Sequence, residues 1–187
     1  MIERVSVKVS EGEFGSTMLR ALRRLEERSE IKLSRVEKLL LAEVGTVEQL
    51  LSILIDEPVS VCVLEQEEDS KSNIIERRVN IRNADSILMS AESRIRTDVL
   101  PEAVVDDIRA RKLGIGSIIL KHRLETFRRI VEIGCCYSSD ESRYSSSKDR
   151  DASTVYRLYS IVHAGVEVFM IREEFRSDAI RRLASLT

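Results

Sequence analysis

The sequence predicts an α+β fold, a six-stranded antiparallel sheet with helices packed on one face. The pattern helix-helix-strand-strand-strand occurs twice after an N-terminal helix, and the strand candidates are joined by short turns, which favour antiparallel pairing. The two halves share this pattern but no sequence motif. With 187 residues, 43% of them hydrophobic, the chain suits one compact domain, which we predict over residues 1–187.

Helices are predicted where apolar residues recur with a helical period or follow a capping signal. Leu22 and Leu25 belong to an apolar stripe in the N-terminal helix, and Ser34 and Glu37 have the spacing of a capping box. Residues 114–116, Gly-Ile-Gly, form a tight connection that lacks the pattern of a phosphate-binding loop. The predicted helices span residues 16–30, 34–41, 46–55, 101–111 and 117–122.

Strands are predicted where apolar and polar side chains alternate, as Val59, Val61 and Val63 do with their neighbours. Gly134 is expected to mark a β-bulge. Residues 138–153 are polar, rich in serine and without apolar periodicity, which indicates a surface hairpin loop, with a functional lid as the alternative. The predicted strands span residues 58–64, 74–82, 87–96, 125–137, 154–163 and 166–176.

The composition argues against several classes of function. The 30 basic and 32 acidic residues leave a net charge of -2, so we expect no nucleic-acid partner. The chain has no apolar run of roughly 18 residues and no signal-peptide core, which predicts a cytoplasmic protein without membrane contact. The three cysteines and two histidines lack metal-site spacing, so no metal is expected. The pattern favours no particular oligomeric state.

Two charged residues fall on apolar strand faces. Glu173 alternates onto the face of Ile171, and Arg77 onto the face of Val79, whereas Arg78 points to the other side. A desolvated carboxylate must be paired, be neutral or face a ligand cavity, and an inward guanidinium suits a planar carboxylate. The alternative is that Glu173 pairs with an internal arginine, Arg77 itself for example, and that no ligand is involved.

Several segments, taken in order, resemble the chorismate pyruvate-lyase (4-hydroxybenzoate synthase) family, in particular its divergent microbial branch of short proteins. The likeness covers residues 33–176 in order and with similar spacing, which makes it more specific than any single segment. The segments are KLLLAEVGTVEQLL (38–51), EPVSVCVLEQ (57–66), IIERRVNIR (74–82), AESRI (91–95), LPEAV (100–104), LGIGSIILKHRLETFRRI (113–130) and MIREEF (170–175).

This resemblance implies a six-stranded antiparallel sheet with helices on one side, built from a duplicated unit around a closed cavity. It also implies a cofactor-free lyase that converts chorismate into 4-hydroxybenzoate and pyruvate. The family's glutamate falls on Glu173, which would contact the ring hydroxyl and transfer protons. Its carboxylate-binding arginine falls on Arg77 if the arginine must lie on the apolar face of the strand. It falls on Arg78 if the alignment is anchored on the following turn. The backbone bordering the ligand would be that of Gly45, Gly114 and Ile115.

Two other classes of protein remain open at this point. The same fold resembles the effector-binding domain of GntR-type regulators, in which an aromatic or sugar-like metabolite would fill the cavity without reaction. The short stretch before residue 33 and the lack of a basic stripe favour the enzyme over a DNA-reading regulator. The third class is a structural protein with a filled core. Gly45 stands where the family commonly has a larger apolar residue, which bears on the lid and on substrate identity.

Overall fold

The computed structural model describes residues 2–9, 16–84, 86–138 and 153–184. Residues 139–152, most of the predicted serine-rich loop, lie outside the described residues, so that loop stays a prediction. Within the described residues, none of the helices combines the length and the apolar character that crossing a bilayer requires.

The elements follow the predicted order, with additions at both ends of the chain. The polar run after residue 64 continues the first predicted strand, because it pairs with the next one. The strands are β1 (Ile2–Lys8), β2 (Ser60–Asp69), β3 (Ile74–Asn83), β4 (Ser86–Arg96), β5 (Thr126–Ser138), β6 (Thr154–His163) and β7 (Val166–Arg176). The helices are α1 (Ser16–Ser29), α2 (Arg35–Ala42), α3 (Val47–Ile55), α4 (Glu102–Arg109), α5 (Ile115–Lys121) and α6 (Ser177–Ala184).

The sheet is antiparallel, as predicted, but the predicted count of six strands is wrong. The described residues form a seven-stranded sheet in the order β1-β5-β6-β7-β4-β3-β2. The additional strand, β1, pairs with β5 at one edge, where Val7 lies opposite Ile133. The units α2-α3-β2-β3-β4 and α4-α5-β5-β6-β7 meet where β4 pairs with β7. Because β1, α1 and α6 lie outside these units, the predicted duplication does not account for the whole fold.

One face of the sheet carries the hydrophobic core. Alternate residues of the central strands, such as Ile75 in β3 and Phe169 in β7, are almost completely buried together with helix residues such as Leu40 and Ile108. The opposite face carries charged side chains, among them the ion-paired Arg172 and Glu174. The polar residues that alternate onto the core face therefore occupy an interior lined by helices.

Two local predictions have opposite outcomes. The capping box is confirmed, since Ser34 accepts a hydrogen bond from the Glu37 N–H and the Glu37 side chain accepts one from the Ser34 N–H. The bulge at Gly134 is wrong, because the register shift in β5 lies between Ile130 and Glu132. Gly134 pairs regularly with Tyr156, whose ring packs so closely that a side chain at position 134 would overlap it. Close approach, rather than a bulge, explains this glycine.

Candidate active site

A cavity of about 50 Å³ lies between the core face of the sheet and the starts of α3 and α5. Its floor consists of residues of the strands from β2 to β7, including Val61 and Arg128, and its rim consists of residues 45–48 and 114–116. A volume of this size holds a few water molecules rather than an aromatic ring, because engineered cavities that bind benzene measure about 150 Å³. A larger ligand therefore requires part of the rim to move.

Glu173 projects into this cavity from β7 and is only 3% exposed. Its carboxylate accepts hydrogen bonds from Arg157 Nε at 2.7 Å and from the Tyr159 hydroxyl at 2.8 Å. Burial, followed by the charge of Glu173, raises the pKa of Tyr159 well above its ordinary value. Tyr159 therefore stays protonated and donates its hydrogen bond across the whole ordinary pH range, which fixes the carboxylate in place.

Arg157, which sequence reasoning missed, is the cation that balances Glu173. It is 1% exposed and connects β6 to the end of α2, where its guanidinium donates to the Leu40 carbonyl at 2.8 Å and to the Glu43 carbonyl. Burial lowers the pKa of the Arg157 guanidinium, but the charges of Glu173, Tyr159 and Glu43 outweigh burial, so the pKa is raised overall. Arg157 thus remains charged and holds the rim of the cavity to its floor.

Arg77 lies on β3, faces the same cavity and is 3% exposed. Its Nη2 donates to the Leu113 carbonyl at 2.6 Å, whereas its buried Nε and Nη1 have no hydrogen-bond partner among the described residues. Burial, together with the charge of Arg111, lowers the pKa of this guanidinium, and the charge of Glu48 opposes the shift. Two unsatisfied donors on a buried cation are costly, and a bound carboxylate would satisfy one of them with a charge-assisted hydrogen bond.

Arg78 lies on the opposite face of the sheet, away from the cavity. It is half exposed and forms ion pairs with Glu65 at 2.9 Å and with Glu92 at 3.8 Å. Arg77 and Arg78 therefore lie on opposite faces of β3, as the alternation of side chains predicts, and Arg78 does not line the cavity. The direct ion pair between Arg77 and Glu173 is not formed, but the more general alternative, that an internal arginine pairs with Glu173, agrees with the structure, because Arg157 is that arginine.

The remaining predicted positions, Gly45, Gly114 and Ile115, all border the cavity. The Gly45 N–H donates to the side chain of Glu43, which closes the turn between α2 and α3. Gly114 is the N-cap of α5 and lies so close to the Glu48 carboxylate that a Cβ at this position would overlap it. The start of α3 and the start of α5 therefore meet at the cavity rim, where the absence of a side chain on Gly114 leaves room for Glu48.

Comparison with known proteins gives a family match and several distant relatives. Residues 33–183 match the sequence model of the Rv2949c-like chorismate pyruvate-lyases. The chorismate pyruvate-lyase of Mycobacterium tuberculosis is 22% identical over 167 residues, which is 80% of this chain and 84% of that protein. That of Mycobacterium leprae is 26% identical over 162 residues, 77% of this chain and 75% of its relative. Among solved structures, the effector domain of PhnF from Mycobacterium smegmatis has a TM-score of 0.45 at 11% identity, covering 72% of this chain and 90% of that domain.

The sheet and the sequence match together define a chorismate lyase-like α+β protein. Because the sequence match extends over most of its length, the chain belongs to the Rv2949c-like chorismate pyruvate-lyase family.

Proposed function

We propose that this protein is a chorismate pyruvate-lyase, which converts chorismate into 4-hydroxybenzoate and pyruvate. One observation above all supports the proposal. In a member of this family, a single cavity contains a buried guanidinium, two of whose donors lack a partner in the described part of the chain, and a buried carboxylate held by two hydrogen bonds. Arg77 and Glu173 lie on β3 and β7, two strands apart and offset by two residues along the strands, so their backbones are about 12 Å apart. An aromatic acid would occupy the space between their side chains.

In this proposal, Arg77 binds the carboxylate of the substrate ring by a charge-assisted hydrogen bond from one of its open donors, Nε or Nη1. Glu173 then contacts the hydroxyl at the opposite end of the ring. The ether bond to the enolpyruvyl group breaks, the neighbouring ring carbon loses a proton, and the released enolpyruvate gains one to give pyruvate. Because the ring becomes aromatic, the protein has mainly to orient the substrate and to handle these protons.

The proposal is tested by incubating the purified protein with chorismate and measuring both products. We expect 4-hydroxybenzoate and pyruvate in equal amounts, without added metal or nucleotide, at a rate above that of spontaneous chorismate breakdown. Product formation no faster than the spontaneous rate would contradict the proposal. Binding of 4-hydroxybenzoate without turnover would indicate the alternative, a non-catalytic ligand-binding domain of the kind found in GntR-type regulators.

The Arg77→Ala protein is expected to bind 4-hydroxybenzoate and chorismate roughly 10- to 100-fold more weakly, the effect of losing about 1.5–3 kcal/mol of charged hydrogen bonding. Isothermal titration calorimetry and the KM for chorismate measure this loss. Arg78→Ala is the matched control, since this neighbouring arginine lies on the opposite face and pairs with Glu65. Equal weakening by both substitutions, or weakening by Arg78→Ala alone, would contradict the assignment of Arg77.

A further inference from the structure

Glu48 is a second carboxylate in the cavity. It lies in the first turn of α3 and lines the cavity together with Arg77 and Glu173. Its side chain is half-buried, and its Oε2 accepts a hydrogen bond from the Ser117 hydroxyl of α5 at 3.0 Å. This hydrogen bond joins the two helices whose starts form the rim, so the cavity is closed in part by an acidic side chain.

The same carboxylate fills space that the glycine connection leaves open. Glu48 Oε1 lies against Gly114, where a Cβ would overlap it, and 3.8 Å from the position that a Cβ on Gly116 would take. The cavity that remains, about 50 Å³, is too small for an aromatic acid. Withdrawal of this side chain would enlarge the cavity beside Gly114, which follows the residue whose carbonyl accepts a hydrogen bond from Arg77.

The electrostatic surroundings of Glu48 are those of a weakly held anion. Burial raises the pKa of Glu48, and the hydrogen bond from Ser117 and the charge of Arg77 oppose this shift only in part. The charge of Glu173 acts in the same direction as burial. No ion pair joins Glu48 to a cation among the described residues, so its interactions are a hydrogen bond to a hydroxyl and a longer-range attraction to Arg77.

We propose that Glu48 is a displaceable carboxylate that fills part of the cavity near Arg77 without binding its open donors, and that ligand binding moves it out. This inference rests on the proposed function in that it takes the same cavity and the same orientation of the aromatic acid. Glu48 thereby sets the affinity and charge selectivity of the pocket. Any ligand has to displace this side chain, and an anionic ligand is in addition repelled by its negative charge.

The test compares 4-hydroxybenzoate with 4-hydroxybenzamide, a neutral ligand of nearly the same shape, by calorimetric titration of three variants. Glu48→Gln keeps the length of the side chain and an acceptor for Ser117 but removes the charge. It should bind the acid on the order of tenfold more tightly and bind the amide with less than a twofold change. Glu48→Ala also vacates the space and should bind both ligands several-fold more tightly. Glu102→Gln is the control, because Glu102 lies in the first turn of α4 and is exposed.

Several results would overturn the displacement of Glu48. One such result is an unchanged affinity of Glu48→Gln for the acid. A second is an equal gain in affinity for the acid and the amide in that variant, and a third is a gain of the same size in Glu102→Gln. A failure of every protein to bind the acid would overturn it too. Chorismate turnover is measured in parallel. If the protein turns over chorismate but the Glu48 variants have unchanged affinities, only the displacement of Glu48 is contradicted. If the affinities change as expected but there is no turnover, only the lyase activity is contradicted.

Discussion

Glu173→Gln is expected to reduce turnover of chorismate by roughly 100-fold or more, the typical contribution of a positioned acid or base. The amide has nearly the size of the carboxylate and can still accept a hydrogen bond, but it cannot exchange a proton with the substrate. The change should therefore act mainly on kcat, while the KM for chorismate changes little, because carboxylate binding is assigned to Arg77. Steady-state kinetics, with rates normalised to the folded fraction from circular dichroism, measure this effect.

Glu174→Gln is the matched control for this substitution. Glu174 follows Glu173 on β7 but faces the other side of the sheet, where it pairs with Arg172 at 2.8 Å and with Arg4 at 3.8 Å. These exposed or half-buried pairs contribute little to stability, so the control should fold normally and retain full activity. Losses of activity of equal size in the two variants would contradict the assignment of Glu173, and so would full activity in both.

Much of the fold could be predicted because the strands between β2 and β7 alternate clearly and are separated by polar turns. The missed strand, β1, shows the same signal in retrospect, since Val5 and Val7 alternate with Arg4, Ser6 and Lys8. It is short, and its pairing with β5 is a contact across the length of the chain that local pattern does not reveal. The terminal helix α6 was missed as well, because it directly follows β7 without a turn signal.

The site residues could be predicted on those strands that have one apolar and one polar face. On β3 and β7 a charged residue among buried neighbours is conspicuous, which is how Arg77 and Glu173 were found. On β6 the same argument gives a weaker signal, because Tyr156 and Ser160 on the other face are also buried. Arg157 was therefore not singled out, although it shares the core face of β6 with the buried residues Val155, Tyr159 and Ile161.

Glu48 illustrates a different limit of sequence reasoning. A glutamate in the first turn of a helix is explained well enough by the helix dipole, so it carries no signal of its own. Only the three-dimensional contact between the start of α3 and the start of α5 places this side chain in the cavity. Residues that two loops bring together from distant parts of the chain are in general invisible to periodicity.

Arg157→Met is expected to lower the free energy of unfolding by about 3–5 kcal/mol, the typical effect of breaking a buried ion pair. The substitution leaves the Glu173 carboxylate buried without its cation and frees the Leu40 and Glu43 carbonyls from their donor. Urea unfolding followed by circular dichroism measures the change. Glu43 lies beside the rim at Gly45, so the same substitution should also loosen the connection between α2 and α3.

The double variant Arg157→Met/Glu173→Leu separates the cost of an orphaned charge from the cost of lost packing. When both partners of a buried pair become apolar, the desolvation penalty disappears, and the substitution is often neutral or stabilising. We therefore expect the double variant to regain most of the lost unfolding free energy while remaining inactive, because the carboxylate is gone. A double variant no more stable than Arg157→Met would show that the hydrogen bonds to Leu40 and Glu43, rather than the ion pair, hold this region. An active site inside a hydrophobic core should contain such a pair of polar residues, because activity requires the pair although stability does not.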